Sequence, residues 1–502
     1  MFSHPSVIIL VIGVMLIVSV LANRFSDRMG VPIVLMFLGV GMLAGSDGIG
    51  GIAFTDNALA NFIGVFCLSL ILFAGGMDTH WKSIRPVLWR AVGLATFGVA
   101  LTAVFLALFV WWLLPDHGFL HALLLGAIVS STDAAAVFAI MRSRGVSLKG
   151  HIRPLLELES GSNDPMALFL TTAVLFVIKL VGNGDAVSAA TWLQFIPKML
   201  ANMGIGVACG VSVGYATCHV IRKIRLEYEG LYPVLTLSLV LFTYGLCDTL
   251  GGNGFLAVYS CGILLGNLDF PNKRYITRFH DGLSWLSQIV LFLTLGLLVS
   301  PFKLIGVAHT ALFIAAVLMF VARPLAIYIG LFGSHFTWRD RTLISWTGLR
   351  GAVPIVLATF TFTEKYPLAS EIFNTVFFIV LASVLVQGKT LMVVARWLKV
   401  DKPLKKSVTR PIEFERSAGF KEDMREVEIP ADSAIVGQTI ANAGLPPKAL
   451  IVLIERGERF VVPRGQTAIE AYDTLMLLGP EADLAHAQDI LLSTEKVTEI
   501  LV

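Results

Sequence analysis

The chain has little charge. Asp, Glu, Lys and Arg make up 15% of its 502 residues, against roughly 25% in a soluble domain. Hydrophobic residues make up 56%, which excludes an ordinary soluble protein and points to a polytopic membrane protein. Cysteines are few. Cys67, Cys209, Cys218, Cys247 and Cys261 all fall in apolar runs. None is spaced CxxC, so they read as small core hydrophobes rather than disulfides or metal ligands. The histidines show no HExxH spacing, and no GxSxG elbow is present, so a hydrolytic enzyme is not expected. A potassium-channel filter of the TVGYG type is missing. Val213-Gly214-Tyr215 is its nearest approach and lacks the following glycine. No basic leader precedes the first apolar run, which is expected to remain as a span. The net charge of +3 is scattered, and no nucleic-acid partner, resident metal or cofactor is expected.

What the chain does have is apolar length. Runs fit to cross a bilayer occur over 6–22, 31–44, 58–76, 89–114, 119–141, 155–180, 195–221, 230–250, 255–268, 283–299, 307–331, 342–362 and 372–398. That is about thirteen spans. Basic residues gather in alternate loops: Arg24 and Arg28; Lys82, Arg85 and Arg90; Arg142, Arg144, Lys149 and Arg153; Arg222, Lys223 and Arg225; Lys273, Arg274 and Arg278; Arg339 and Arg341. The intervening loops are nearly free of them. The positive-inside rule then places the N-terminus outside and the C-terminus in the cytoplasm. From about residue 425 the pattern changes. Strand-length runs over 426–429, 449–454, 459–462 and 474–478, with helical patterns over 438–443 and 482–492, predict a small cytosolic α+β domain. The expected organisation is a membrane domain over 1–398, a linker over 399–424 and a soluble domain over 425–502.

The functional signal centres on Leu156-Glu157-Leu158-Glu159-Ser160-Gly161-Ser162-Asn163-Asp164-Pro165. Acids inside a span are costly and read as functional. On a helix, Glu157, Ser160 and Asp164 share one face, while Glu159 and Asn163 are turned about 100° away. An oxygen-rich pocket in an apolar wall suits a monovalent cation or a proton. Two other spans are interrupted, one by Ser130-Ser131-Thr132-Asp133 and one by Gly348-Leu349-Arg350-Gly351 ahead of Pro354. They lie an odd number of spans apart, as an inverted repeat requires, and such paired interruptions mark a transporter site. Asp133 can offset the positive helix ends at such a break, and the guanidinium of Arg350 the negative ends. Arg323, also inside a span, needs a carboxylate; Glu159 and Glu157 are the candidates and Glu159 is favoured. Asp164 is then left to titrate.

These motifs together resemble the bacterial monovalent cation:proton antiporter-1 family of the NhaP type, potassium/proton branch. They are Thr132-Asp133, Glu159-Ser160-x-x-Asn163-Asp164, Arg323 and Gly348-Leu349-Arg350-Gly351. The resemblance covers about residues 6–398. It implies an all-α fold with inverted repeats and two broken crossing helices, a homodimer, and an elevator movement of a core domain. It implies that Asp164 carries the proton or the ion, that Thr132, Asp133 and Ser160, beside Asn163, help hold the ion, and that Glu159 pairs with Arg323. Many relatives carry a third-span acid where this chain has Ala74; here the nearest is Asp78. The tail resembles the RCK_C (TrkA_C) subdomain of potassium-conductance regulators, which implies a cytosolic sensor, often for a nucleotide. No GxGxxG precedes it, so NAD is not expected. The expected function is electroneutral potassium/proton antiport in the inner membrane. Sodium/proton antiport is the nearest alternative.

Overall fold

A computed structural model of the chain describes residues 4–29, 32–184, 188–224, 226–403, 422–457 and 459–493. It forms two units, Met1–Ser407 and Val408–Val502. The expected linker falls largely on 404–421, outside the described residues.

The first unit is helical. Every apolar run read from the sequence falls on a helix or a pair of helices. Among the described residues, 9 helices are long and apolar enough to cross a membrane. Shorter apolar helices, Ile33–Ala44, Ala134–Ser143, Gly254–Asn267 and Ala352–Thr363, lie among them. Side chains close several helix starts, where N–H groups have no intrahelical partner. The Asp56 carboxylate accepts the Leu59 N–H at 2.9 Å and starts Asn57–Asp78. Asn253 does the same for Leu256 at 3.1 Å and starts Gly254–Asn267. Thr337 and Asp340 form a reciprocal capping box ahead of Trp338–Trp346,. Apolar side chains such as Ile9, Leu10, Ile17 and Leu21 stay exposed on the first helix, where hydrocarbon would cover them.

Two spans are interrupted. One is split into Gly118–Ile128 and Ala134–Ser143. The other is split into Trp338–Trp346 and Ala352–Thr363. The helix Ile152–Gly182 runs unbroken through Pro165. Helix Asn57–Asp78 packs tightly on Gly254–Asn267. A Cβ on Gly262 would lie 2.5 Å from the Phe73 carbonyl oxygen, and one on Gly76 would lie 2.6 Å from that of Tyr259. Small residues of this kind let two backbones touch. At one end of the unit, Val146–Leu148 pairs antiparallel with Asp401–Pro403, Ser147 facing Lys402. The sequence had assigned Asp401–Pro403 to the linker. The strand forms because the chain leaving the last span runs beside the loop that follows Ala134–Ser143.

The second unit is a four-stranded antiparallel sheet in the order Glu422–Glu428, Thr474–Pro480, Leu450–Arg456, Arg459–Val461. Helix Glu481–Leu492 buries Leu484, Ala487 and Leu491 in a core with Val427, Ile451, Leu475 and Leu477. The helix expected over 438–443 is only a 3-10 turn, Ile440–Asn442. Its backbone is claimed from outside: Ile440 donates to the Thr467 carbonyl at 3.0 Å and Ala441 to that of Gly465 at 2.9 Å.

Gly262→Leu should lower the stability of the membrane unit by about 1–3 kcal/mol, the usual cost of overpacking. Thermal unfolding of the detergent-solubilised chain measures it; an unchanged midpoint would show that the two helices can part without loss.

Candidate ion-binding site

The two interruptions meet. The Asp133 N–H donates to the Leu349 carbonyl at 2.7 Å, joining one broken strand of backbone to the other. The half-helix Gly118–Ile128 ends with carbonyls that lack intrahelical partners. Arg350 serves the break that follows: its Nη1 donates to the carbonyls of Ser130 at 3.1 Å and Ser131 at 2.7 Å. The half-helix Ala134–Ser143 begins with the opposite partial charge. Asp133 lies there, its Oδ1 accepting the Ala136 N–H at 3.1 Å. The Arg350 N–H donates to Ser383 Oγ at 3.1 Å, and Ser383 donates to Gln387 Oε1 at 2.5 Å. Gln387 in turn donates to the Trp346 carbonyl at 3.0 Å. The second break is thereby pinned at both edges.

The two glycines of Gly348-Leu349-Arg350-Gly351 have distinct tasks. A Cβ on Gly351 would collide with the Asp133 carboxylate, and one on Gly348 would sit 3.0 Å from Arg323 Nε. Arg323 follows a π-helical segment, Leu318–Ala322, of the kind that often marks functional positions. Its Nη2 donates to Glu159 Oε1 at 2.5 Å, with both side chains 1% exposed. Glu157 takes a different partner, accepting from Arg153 Nε at 2.8 Å.

Ser160 and Asn163 dock the long helix onto the first break. Ser160 Oγ donates to the Thr132 carbonyl at 2.9 Å and accepts the Ala134 N–H at 3.0 Å. Asn163 Nδ2 donates to Thr132 Oγ1 at 2.6 Å. Asp164 is buried beside them, 7% exposed. It lines a cavity of about 1330 Å³ together with Thr132, Asp133 and Ser160. Asn163, Glu159, Arg323 and Arg350 stand behind this wall rather than in it. The cavity extends to Asp78, Arg142, Arg144 and Arg153, so it runs towards the end of the unit that carries the basic loops. Among the described residues no group of three or more His, Cys, Asp or Glu could hold a metal as a resident ligand cluster. A cation here would instead be held by one or two carboxylates with hydroxyl and carbonyl oxygens.

The family described as sodium/hydrogen exchanger, transmembrane, matches residues 12–397. The chain belongs to the sodium/hydrogen exchanger family. The TrkA-C domain matches residues 424–492, in line with the tail's resemblance. Among curated relatives, the K(+)/H(+) antiporter NhaP of Alkalimonas amylolytica is 40% identical over 486 residues, covering 97% of this chain and 83% of that one. The K(+)/H(+) antiporter NhaP2 of Shewanella oneidensis is 39% identical over 489 residues, with 96% and 83% covered. The Na(+)/H(+) antiporter ApNhaP of Aphanothece halophytica is 28% identical over 408 residues, with 77% and 73% covered. The solved structure of the sodium proton antiporter MjNhaP1 from Methanocaldococcus jannaschii at pH 8 superposes with a TM-score of 0.65. It is 22% identical and covers 79% of this chain and 99% of that one, so it shares the fold.

This exchanger is thus a multi-pass membrane protein of the NhaP antiporter type, a transporter with a TrkA-C domain. Some of its contacts had no signal in the sequence. Ser383 and Gln387 sit in a long apolar helix, and nothing in their spacing links them to Arg350. Tyr259 is a lone tyrosine in an apolar run, yet it lines the cavity beside Asp164. Asn253 could be read only as a helix cap, but its Nδ2 also donates to the Pro165 carbonyl at 3.1 Å.

Glu159→Gln leaves a buried guanidinium without its counter-charge and should cost about 3–5 kcal/mol. Exchanging the pair, Glu159→Arg with Arg323→Glu, should recover folding lost in either single variant. Yield and thermal midpoint in detergent decide it, and a swap no better than the singles would disprove the coupling.

Proposed function

We propose that the chain exchanges potassium for protons across the bacterial inner membrane, with Asp164 holding either a proton or a cation in turn. The observation that carries this is one buried carboxylate, Asp164, at the wall of a one-sided cavity, beside the crossing of two broken helices. Thr132, Asp133, Ser160 and Asn163 form the rest of the site. Asp133 is engaged with the helix end at Ala136, which leaves Asp164 as the exchangeable carrier. Glu159 and Arg323 neutralise each other and hold the helices. Arg350 serves the half-helix ends.

One carrier carboxylate gives one proton for one cation, an electroneutral cycle. Potassium is favoured over sodium by the identity of about 40% to relatives named as K(+)/H(+) antiporters. The relative named for sodium is more distant, at 28%. Residues 1–398 form the antiporter domain, 399–424 the linker and 425–502 the RCK_C domain, a cytosolic regulator with a nucleotide as its candidate ligand. The N-terminus faces outside and the basic loops and tail face the cytoplasm, so the cavity opens inward. Two copies form a homodimer, and each core domain moves as an elevator. The chain acts as a carrier and not as an enzyme.

In proteoliposomes, Asp164→Asn should abolish potassium–proton exchange while the protein still inserts; residual cation-dependent proton flux would refute a single carrier. An imposed potential of 100 mV would bias an electrogenic cycle by about 2.3 kcal/mol per charge. Exchange by this chain should leave its endpoint unshifted by that potential. Truncation after Lys406 should alter turnover or its pH dependence, and identical profiles with and without the tail would remove the regulatory role.

A further inference from the structure

We propose that Val356 seated on Gly64 forms the seal on the far side of Asp164 that each exchange cycle must break and remake. This rests on the antiport reading, because an exchanger cannot leave its carboxylate open to both sides at once.

The cavity has a closed end, and the lining residues locate it. Helix Asn57–Asp78 contributes residues from Leu68 to Asp78, but neither Asn61 nor Gly64. Helix Ala352–Thr363 contributes Ala352 and Val353, but neither Val356 nor Thr359. The long helix contributes residues up to Asp164, and Tyr259 lies across it. Beyond these residues the helices are in contact.

The seat at Gly64 joins two helices that are anchored to different neighbours. Asn57–Asp78 and Gly254–Asn267 are packed backbone to backbone through Gly76 and Gly262. Ile152–Gly182 and Ala352–Thr363 are instead bound to the crossing, through Ser160, Asn163 and Leu349. Within the cavity wall, on the near side of Asp164, Gly161 has no room for a side chain, because a Cβ there would collide with Tyr259 Cζ. The Tyr259 hydroxyl reaches the Glu157 carbonyl at 3.4 Å. A Cβ on Gly64 would stand 2.9 Å from a Val356 methyl. Two side-chain hydrogen bonds cross between these helices beyond the cavity lining. Asn253 Nδ2 donates to the Pro165 carbonyl at 3.1 Å, and Asn61 Nδ2 donates to Thr359 Oγ1 at 2.9 Å. A side chain resting on bare glycine backbone gives a smooth, tightly closed face, and the Asn61–Thr359 hydrogen bond sets its register. Such a face can part by sliding while the backbone packing at Gly76 and Gly262 stays intact.

The seat at Gly64 can be locked. A Cβ built there lies 3.5 Å from the Val356 Cβ, at the short end of the disulfide range of about 3.5–4.5 Å. Gly64→Cys with Val356→Cys is made in the full-length chain with Cys67→Ser, since Cys67 is one turn away. After oxidation the protein in proteoliposomes should lose potassium–proton exchange by at least about tenfold, and dithiothreitol should restore it. Equal exchange in oxidised and reduced forms overturns the seal. Absence of exchange in the unaltered chain would instead defeat the antiport reading. Asn61→Ala and Thr359→Val test the same seat without a crosslink. Each weakens the closed state, so each should raise the KM for potassium on the side of the basic loops by about two- to tenfold with a smaller change in kcat. The double variant should go no further than either single. Unchanged KM in all three also overturns the proposal.

Discussion

Backbone that leaves a helix inside a bilayer must find partners for its N–H and C=O groups, because lipid supplies none. In this chain each break supplies the other. The Asp133 N–H reaches the Leu349 carbonyl, and Arg350 returns a guanidinium to the carbonyls of Ser130 and Ser131. Neither interruption could persist alone. The crossing also explains why both charges of the motif are buried: each is placed against the helix end of opposite partial charge. The candidate site is hung from this joint. Ser160 and Asn163 fasten the long helix to it, and that attachment fixes where Asp164 stands.

The buried ion pair has a different role. Glu159 and Arg323 lie behind the cavity wall, both nearly inaccessible. Burying two charges costs several kcal/mol per ion before their attraction repays it. The pair is therefore weak as a source of stability and strong as a source of specificity: either partner tolerates the membrane only when the other is in position. Gly348 leaves the guanidinium the space it needs. The acids of the long helix are thereby sorted into separate tasks within two turns. Glu157 pairs with Arg153 at the cavity's wide end, Glu159 is locked, and Asp164 faces the cavity.

Much of this was legible in the sequence, because the membrane makes its constraints visible. Apolar length marked the spans. Charges within spans stood out against lipid-facing neighbours, and so did the Gly-rich break around Arg350. That Arg323 needs a carboxylate followed from its place inside a span, and the resemblance pointed to Glu159. Less was legible where partners come from distant residues of ordinary type. Ser383 and Gln387 carry no pattern, and Tyr259 and Val356 differ from other apolar residues only in what they touch. In the tail, the strand at 474–478 was plain as a short apolar run, and Leu475, Met476 and Leu477 are all buried. The 438–443 segment carried a helical pattern that competing hydrogen bonds from 465–467 override.

The short strand pair Val146–Leu148 with Asp401–Pro403 has a mechanical consequence. It is flanked by the Lys149 N–H on the Val400 carbonyl at 3.0 Å and the Lys149 ammonium on that of Lys399 at 3.0 Å. Only Arg144 and Gly145 separate it from the half-helix Ala134–Ser143, whose first turn is closed by Asp133. A tug on the polypeptide where it departs from the membrane unit is therefore carried in shear by several hydrogen bonds, with almost no slack, to the half-helix that begins at Asp133.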